Sequence, residues 1–216
     1  MKIIELSKDN SVFQQFLTEL RDENIQKDSL RFRKNLERCG QIFAYEISKT
    51  LHYNSEKVKT SLGTADVKML ASKIVLGTIL RAGLPFHQGF LNFFDKAENA
   101  FITAYRKYYR DNTFEVIVDY VACPALDDKE LILCDPMLAT GHTVHKVYKY
   151  IQKHGTPKHT HLVFLVASPE AVEYMKKNFT EDVTMWIGCI DKGLDAHSYI
   201  LPGLGDAGDI AFGEKM

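Results

Sequence analysis

Two stretches of this chain hold residue types suited to chemistry on a phosphorylated ligand. The first is Leu131–Val144, LILCDPMLATGHTV. A short apolar strand pattern runs into Asp135, small residues follow at Ala139, Thr140 and Gly141, and a helical pattern begins near Thr143. Amide groups in the first turn of a helix lack partners inside the helix and carry partial positive charge, so they suit phosphate oxygens. Small residues let a phosphate come close, and the Thr140 and Thr143 hydroxyls add donors. Asp135 would repel phosphate, but its acceptor oxygens suit ribose hydroxyls. The plainer role for Asp135 and Thr143 is helix capping, and the residues alone leave both roles open.

The second stretch is Tyr199–Gly213, YILPGLGDAGDIAFG. Its Gly203–Gly208 portion spells G-x-G-x-x-G, which in a dinucleotide fold must follow a strand and open a helix within a βαβ unit. With eight residues after Gly208 that reading is set aside. A segment rich in glycine can instead cross a cleft and present peptide donors and acceptors to a flat polar base. A glycine-rich tail with no ligand is the alternative.

Two arginines could meet an anionic leaving group. Arg81 follows an apolar run in LRAGL, and Arg106 follows Tyr105. Arginine stays charged and can hold two oxygens of a phosphate at once. Either arginine alone reads as a solvated surface charge. The pairs His142/His145 and His159/His161 lack a third ligand and a carboxylate, so they are read as surface or loop residues rather than a metal site. Cys39, Cys123, Cys134 and Cys189 form no CxxC pair, which supports neither a metal cluster nor a disulfide framework.

The elements that must position these residues follow from hydrophobic patterning. Helices are expected at 11–22 and at 29–51, the second with Leu30, Leu36, Phe43, Ile47 and Leu51 on its apolar side and Ser29 as cap. Strands are expected at 74–80, 101–109, 131–134, 162–166 and 183–190, with helices at 84–94, around 144–151 and at 170–179. Phe114–Val121 alternates and suits a hairpin arm. Continuous apolar strands between helices give an α/β fold, with a mainly parallel central sheet and helices on both faces. Ligands of such sheets bind beyond the carboxyl ends of the strands. The 216 residues show no linker or repeat, so one domain over 1–216 is expected. The net charge of −1 offers no broad attraction to nucleic acid or anionic membrane. No signal-like or membrane-spanning run appears, which gives a cytoplasmic expectation.

The quoted stretches resemble one family. DPMLATGHT is similar to the binding signature for 5-phosphoribosyl 1-diphosphate (PRPP) in type I phosphoribosyltransferases, in the DPMLATGGS form of uracil phosphoribosyltransferases. The proline after Asp135 favours that subfamily, since most relatives carry a second acidic residue there. YILPGLGDAGD resembles the family's uracil-recognition segment, commonly GYIxPGLGDAGDRxFGT. LRAGL, the Tyr105-Arg106 pair, Arg31–Arg33, Ala167–Glu170 and Asp191-Lys192-Gly193-Leu194 resemble further family stretches. Departures occur at His142, at Pro85–Gln88 and across 106–127.

The resemblance implies a type I phosphoribosyltransferase fold with a C-terminal base-binding segment at about 191–216. It implies transfer of the phosphoribosyl group from PRPP to uracil, giving UMP and diphosphate in pyrimidine salvage. PRPP would meet Arg81, Arg106, Asp206 and the loop residues Asp135, Pro136, Met137, Leu138, Ala139, Thr140, Gly141, His142 and Thr143. Uracil would meet Ile200, Gly205, Asp206 and Ala207, largely through the backbone. Arg81, Arg106 and Asp206 would serve the chemistry. Mg2+ is expected with PRPP and without direct protein ligands. A homo-oligomer of two or four chains is expected, a nucleotide effector is allowed for, and no nucleic-acid or membrane partner is expected. One alternative is a regulator of the same fold that binds uracil nucleotides and RNA with little catalysis, which the near-neutral charge disfavours. Another is action on a purine or orotate, against which the tail speaks.

Overall fold

The apolar runs that lack alternation become strands covered on both faces. The computed structural model describes residues 1–108, 114–179 and 182–215, without the side chains at 106, 108 and 114. In chain order the elements are β1 (Lys2–Glu5), α1 (Val12–Arg21), α2 (Ser29–Ser48), β2 (Tyr53–Lys59), β3 (Thr64–Leu70), β4 (Ile74–Leu80) and α3 (Gly83–Leu91). Then come β5 (Glu98–Tyr108), β6 (Phe114–Ala122), β7 (Glu130–Leu138), α4 (His142–Ile151), β8 (His159–Ala167) and α5 (Pro169–Asn178). The chain continues through β9 (Val183–Ile190), β10 (Gly193–Leu194), β11 (Ile200–Leu201) and α6 (Ala207–Phe212).

The main sheet has the order β1-β9-β8-β7-β4-β5-β6. Every neighbouring pair is parallel except β5 and β6, which form the expected hairpin arm. From β4 the chain first adds β5 on one side, then returns to place β7 on the other. The helices after these two strands cover opposite faces. Phe86 and Phe90 of α3 pack with α1, α2 and α6 on one face, whereas Val144, Val147 and Tyr148 of α4 pack with α5 on the other. The loops leaving β4 and β7 therefore diverge and open a crevice between the two carboxyl ends.

Several expectations change. The cap of α2 is Asp28, whose side chain accepts from the Arg31 amide, not Ser29. Leu30 is 61% exposed and lies off the apolar stripe, which runs through Phe32, Leu36, Cys39, Phe43 and Ile47. Strand β7 runs three residues past the expected turn at Asp135, to Leu138, pairing Met137 with Val166 and Leu138 with Ala167 of β8. The β2–β3 hairpin was not expected, because its strands are mostly exposed and the alternation is confined to the half-buried Ala65 and Val67 of β3.

The histidines also differ from the surface reading. His159 and His161 lie on β8, where a two-residue spacing puts both on one face. Their rings are 4.8 Å apart. His161 is 3% exposed and accepts from the Trp186 indole at 3.1 Å, and burial, with a contribution from His159, lowers its pKa to about 3. His159 bonds the Thr184 hydroxyl at 2.9 Å. A neutral, hydrogen-bonded ring explains why His161 can sit in the core. Of the other pair, His145 lies on α4 and bonds the Tyr174 hydroxyl at 3.0 Å. His142, exposed at the start of α4, keeps the surface reading.

Helices α2 and α3 touch backbone to backbone. A Cβ at Gly40 would lie 2.2 Å from the Phe86 carbonyl oxygen, and one at Gly89 would lie 2.1 Å from that of Glu37. This crossing fixes α3, which starts two residues after Arg81. We expect Gly89→Ala to cost on the order of 3 kcal/mol in urea unfolding. Gly63→Ala, with open space around it, should stay within about 0.5 kcal/mol of wild type.

Candidate active site

The crevice at the carboxyl ends of β4, β5 and β7 has a volume of about 1390 Å³. Its floor is made by Arg81, by Thr103–Tyr105 and by the β7–α4 loop, and the Ala196–Ile200 turn, Asp206, Gly208 and Lys215 close it from the C-terminal side. Three segments far apart in sequence thus meet on one cavity.

In the β7–α4 loop, Asp135, Met137, Leu138, Ala139, Thr140, Gly141 and Thr143 line the cleft. Pro136 is buried and His142 is exposed, and neither belongs to that lining. The cap position of α4 is Gly141 at φ +80°, with no side-chain cap bond, so neither Asp135 nor Thr143 caps the helix. A Cβ at Gly141 would lie 2.7 Å from Tyr174 and would also need a left-handed backbone. The first turn of α4, whose amides lack partners within the helix, begins at the cleft wall with Gly141 and Thr143. His142 stacks on Tyr174, with ring centroids 4.3 Å apart. It takes the place of a second loop glycine by leaning away from the loop onto α5.

Asp135 lies within β7, where its Oδ1 accepts from the Met137 amide at 3.1 Å. Burial pushes its pKa up to about 7, and the Met137 bond opposes the rise. A group of this kind at a cleft wall is poised to change charge when a ligand supplies donors.

Arg81 follows β4 and reaches across to the C-terminal segment. Its guanidinium pairs with Asp209 Oδ1 and donates to the Gly213 carbonyl at 3.1 Å, while its Nε is buried without a hydrogen-bond partner. Arg106 stands in β5 opposite Val116. Its side chain lies outside the described residues, as does Tyr109 of the expected strand and the 109–113 part of the divergent 106–127 stretch.

The C-terminal segment crosses the cleft as expected, with different parts facing it. Ile200 and Asp206 line the cleft, but Gly205 and Ala207 do not. Gly205 is exposed at φ +76°, and the Ala207 side chain packs in the core beneath α6. Asp206 caps α6, its Oδ1 accepting from the amides of Gly208 and Asp209 at 3.0 Å each. Its Oδ2 is 3.5 Å from the Lys215 ammonium. The turn before it is organised by Asp195, whose Oδ1 accepts from the amides of His197 and Tyr199 at 2.8 Å each.

Sequence reasoning missed the cations that hold this segment. Arg33 of α2 donates to the Ala211 carbonyl at 2.7 Å. Arg21, the last residue of α1, grips Asp191 with both terminal nitrogens, at 2.9 and 2.7 Å. Arg21 and Asp191 are 170 residues apart, so no local pattern links them. Among the described residues there is no cluster of three side chains suited to a metal, and no helix long and apolar enough to cross a membrane.

A family model described as uracil phosphoribosyltransferase matches residues 7–214. The uracil phosphoribosyltransferase of Porphyromonas gingivalis is 50% identical over 216 residues, covering all of both chains. That of Pyrococcus furiosus is 38% identical over 212 residues, 97% of this chain and 89% of that protein. Among solved structures, the AQ2163 protein of Aquifex aeolicus superposes with a TM-score of 0.87 at 30% identity, covering 99% of each chain.

The raised pKa of Asp135 has a measurable consequence. An aspartate in an unfolded chain titrates near about pH 4, whereas in this fold it titrates at about 7. Between those values the folded chain holds a proton that the unfolded chain has released. Stability from this group is therefore full below about pH 4 and is lost as pH rises through about 7. Asp135→Asn removes the titration, so its Tm relative to wild type should rise by a few degrees from about pH 4 to about pH 8. Thermal unfolding across that range checks this, and a difference independent of pH would refute it.

Proposed function

The chain belongs to the uracil phosphoribosyltransferase family, as a pentosyltransferase joining uracil to PRPP to give UMP and diphosphate, and we propose that the crevice between β4 and β7 is its active site. The observation that carries this assignment is the meeting of the β7–α4 loop, Arg81 and the C-terminal segment on one cavity.

In this reading a phosphate of PRPP sits on the first-turn amides of α4, aided by the Thr140 and Thr143 hydroxyls. Ribose hydroxyls donate to Asp135, which favours its carboxylate and draws its pKa down from about 7. Asp206 faces the ribose with Oδ2 while Oδ1 keeps its capping role. Uracil N1 attacks the anomeric carbon as the bond from that carbon to diphosphate breaks, and the N1 proton passes to solvent water. Arg81, released from Asp209, meets the negative charge that grows on diphosphate, and Arg106 is proposed to do the same. Pre-aligned reactants and fixed cations then lower the barrier without a covalent enzyme intermediate.

Ile200 and Asp206 are the members of the uracil set on the cleft wall, and the Ile200 peptide group would pair with the base. Gly205 and Ala207 would reach the base through their own peptide groups after a small shift of the segment. Because the Ala207 side chain packs in the core, a larger residue there would disturb α6 before it touched a base.

Magnesium is proposed to arrive with PRPP. The cleft offers hard oxygen groups in the Asp135 and Asp206 carboxylates and the two threonine hydroxyls, which fit an ion whose inner shell is diphosphate oxygen and water. When bound, such an ion neutralises charge on the leaving diphosphate. We also propose a cytoplasmic setting, a role in pyrimidine salvage, and a homo-oligomer that binds neither nucleic acid nor membrane. The net charge of −1 supports the last point.

The test is UMP formation from PRPP in the absence of RNA, offered uracil, cytosine and hypoxanthine in turn. Uracil alone should react. A regulator of the same fold would bind uracil nucleotides and turn over little. Arg81→Ala should lower kcat/KM for PRPP roughly a hundredfold, with a smaller effect on the KM for uracil. Wild-type PRPP kinetics in that variant would take Arg81 out of the site.

A further inference from the structure

We propose that Arg21 is a positioning residue for base recognition, acting through Asp191 on the Gly203 turn; this rests on the reading of the C-terminal segment as the uracil-binding wall. Both backbone polar groups of Gly203, on the two peptide units that flank its Cα, are held by this one ion pair. The Gly203 amide donates to Asp191 Oδ2 at 3.0 Å, and the Gly203 carbonyl accepts from Arg21 Nη1 at 3.2 Å. The pair itself is a bidentate fork, with the Asp191 side chain 3% and the Arg21 side chain 20% exposed. A planar guanidinium gripping both carboxylate oxygens fixes direction as well as distance.

The turn it holds needs that help. Gly203 is at φ +62°, and a Cβ there would lie 2.1 Å from the Ile200 carbonyl oxygen, so the chain folds sharply back on Ile200. Ile200 on one side and Asp206 on the other line the cleft, whereas neither Arg21 nor Asp191 does. The pair thus lies behind the turn and aims the residues that face the ligand. Leu204, Ala207 and Ala211 remain buried beyond the turn. These apolar anchors keep the segment attached if the fork is lost, so what fails is the aim of the turn rather than the fold.

PRPP would meet this turn only at Asp206, which its own bonds to the Gly208 and Asp209 amides hold, so the KM for uracil should respond far more than that for PRPP. We expect Arg21→Ala to raise the KM for uracil about tenfold or more, with the KM for PRPP within about twofold and Tm within a few degrees of wild type. Arg21→Lys supplies a point charge without the fork and should give an intermediate rise. Asp191→Asn should also raise the uracil KM, and the double variant should exceed the larger single effect by little, as for residues acting as one unit. Steady-state kinetics with each substrate varied against saturating partner reads all of this. If Arg21→Ala does not fold, Arg21→Lys carries the same comparison. Unchanged uracil KM in a folded variant, or equal rises for both substrates, would overturn the inference alone. A wild-type protein that forms no UMP from uracil would overturn the reading of the site, and this inference with it.

Discussion

Peptide groups can read a base only if something else holds the backbone still, and here guanidinium groups do it. Arg21 comes from α1, Arg33 from α2 and Arg81 from the end of β4, and each donates to a carbonyl of the C-terminal segment, at Gly203, Ala211 and Gly213. The segment contributes Ile200, Leu204, Ala207 and Ala211 to the core, with Leu194 and Ile210 packed against it. Hydrogen bonds from charged donors contribute about 1.5–3 kcal/mol each, enough to place a short segment that hydrophobic burial alone would leave loosely held. Arg33 also lies over the Phe212 ring, 6.0 Å from its centroid, so one cation serves both the backbone and an aromatic side chain.

Sheet topology supplies the other half of the site. Because β7 returns to the side of β4 opposite β5, the loops after β4 and β7 part company and leave space between them. Asp135 and Arg81 stand at the two lips of that space. The extension of β7 to Leu138 keeps Asp135 inside a hydrogen-bonded strand at the cleft wall, where desolvation raises its pKa. On the far lip, Arg81 is engaged by Asp209, a carboxylate standing where an anionic ligand would otherwise be met. In the proposed reading, diphosphate would reach Arg81 by an exchange of anions in which the segment carrying Asp209 takes part.

What could be read from the sequence divides along physical lines. Buried strands and amphipathic helices announce themselves by pattern, so β4, β7, β8, β9 and α2 fall near their expected places. The β7–α4 loop could be located because small residues stand between an apolar strand pattern and a helical one. The β2–β3 hairpin was hidden because its strands are mostly exposed and only Ala65 and Val67 of β3 alternate into partial burial. The Arg21–Asp191 fork was hidden because it is a contact between distant elements. His161 was misplaced because a polar residue with a satisfied hydrogen bond can enter a core without leaving an apolar signature. Asp28 supplanted Ser29 as the α2 cap by a shift of one residue, well within the fraying of helix ends.

The bond from Trp186 to His161 reaches beyond catalysis. Trp186 is the single tryptophan of the chain, and it lies on β9, inside the parallel sheet and apart from the residues that line the cleft. Its fluorescence is thus a resident optical gauge of strand packing. Any loss of that packing exposes the indole to water. Emission from this one ring can be set beside circular dichroism during unfolding, and agreement between the two would establish that sheet and helices melt as one cooperative unit.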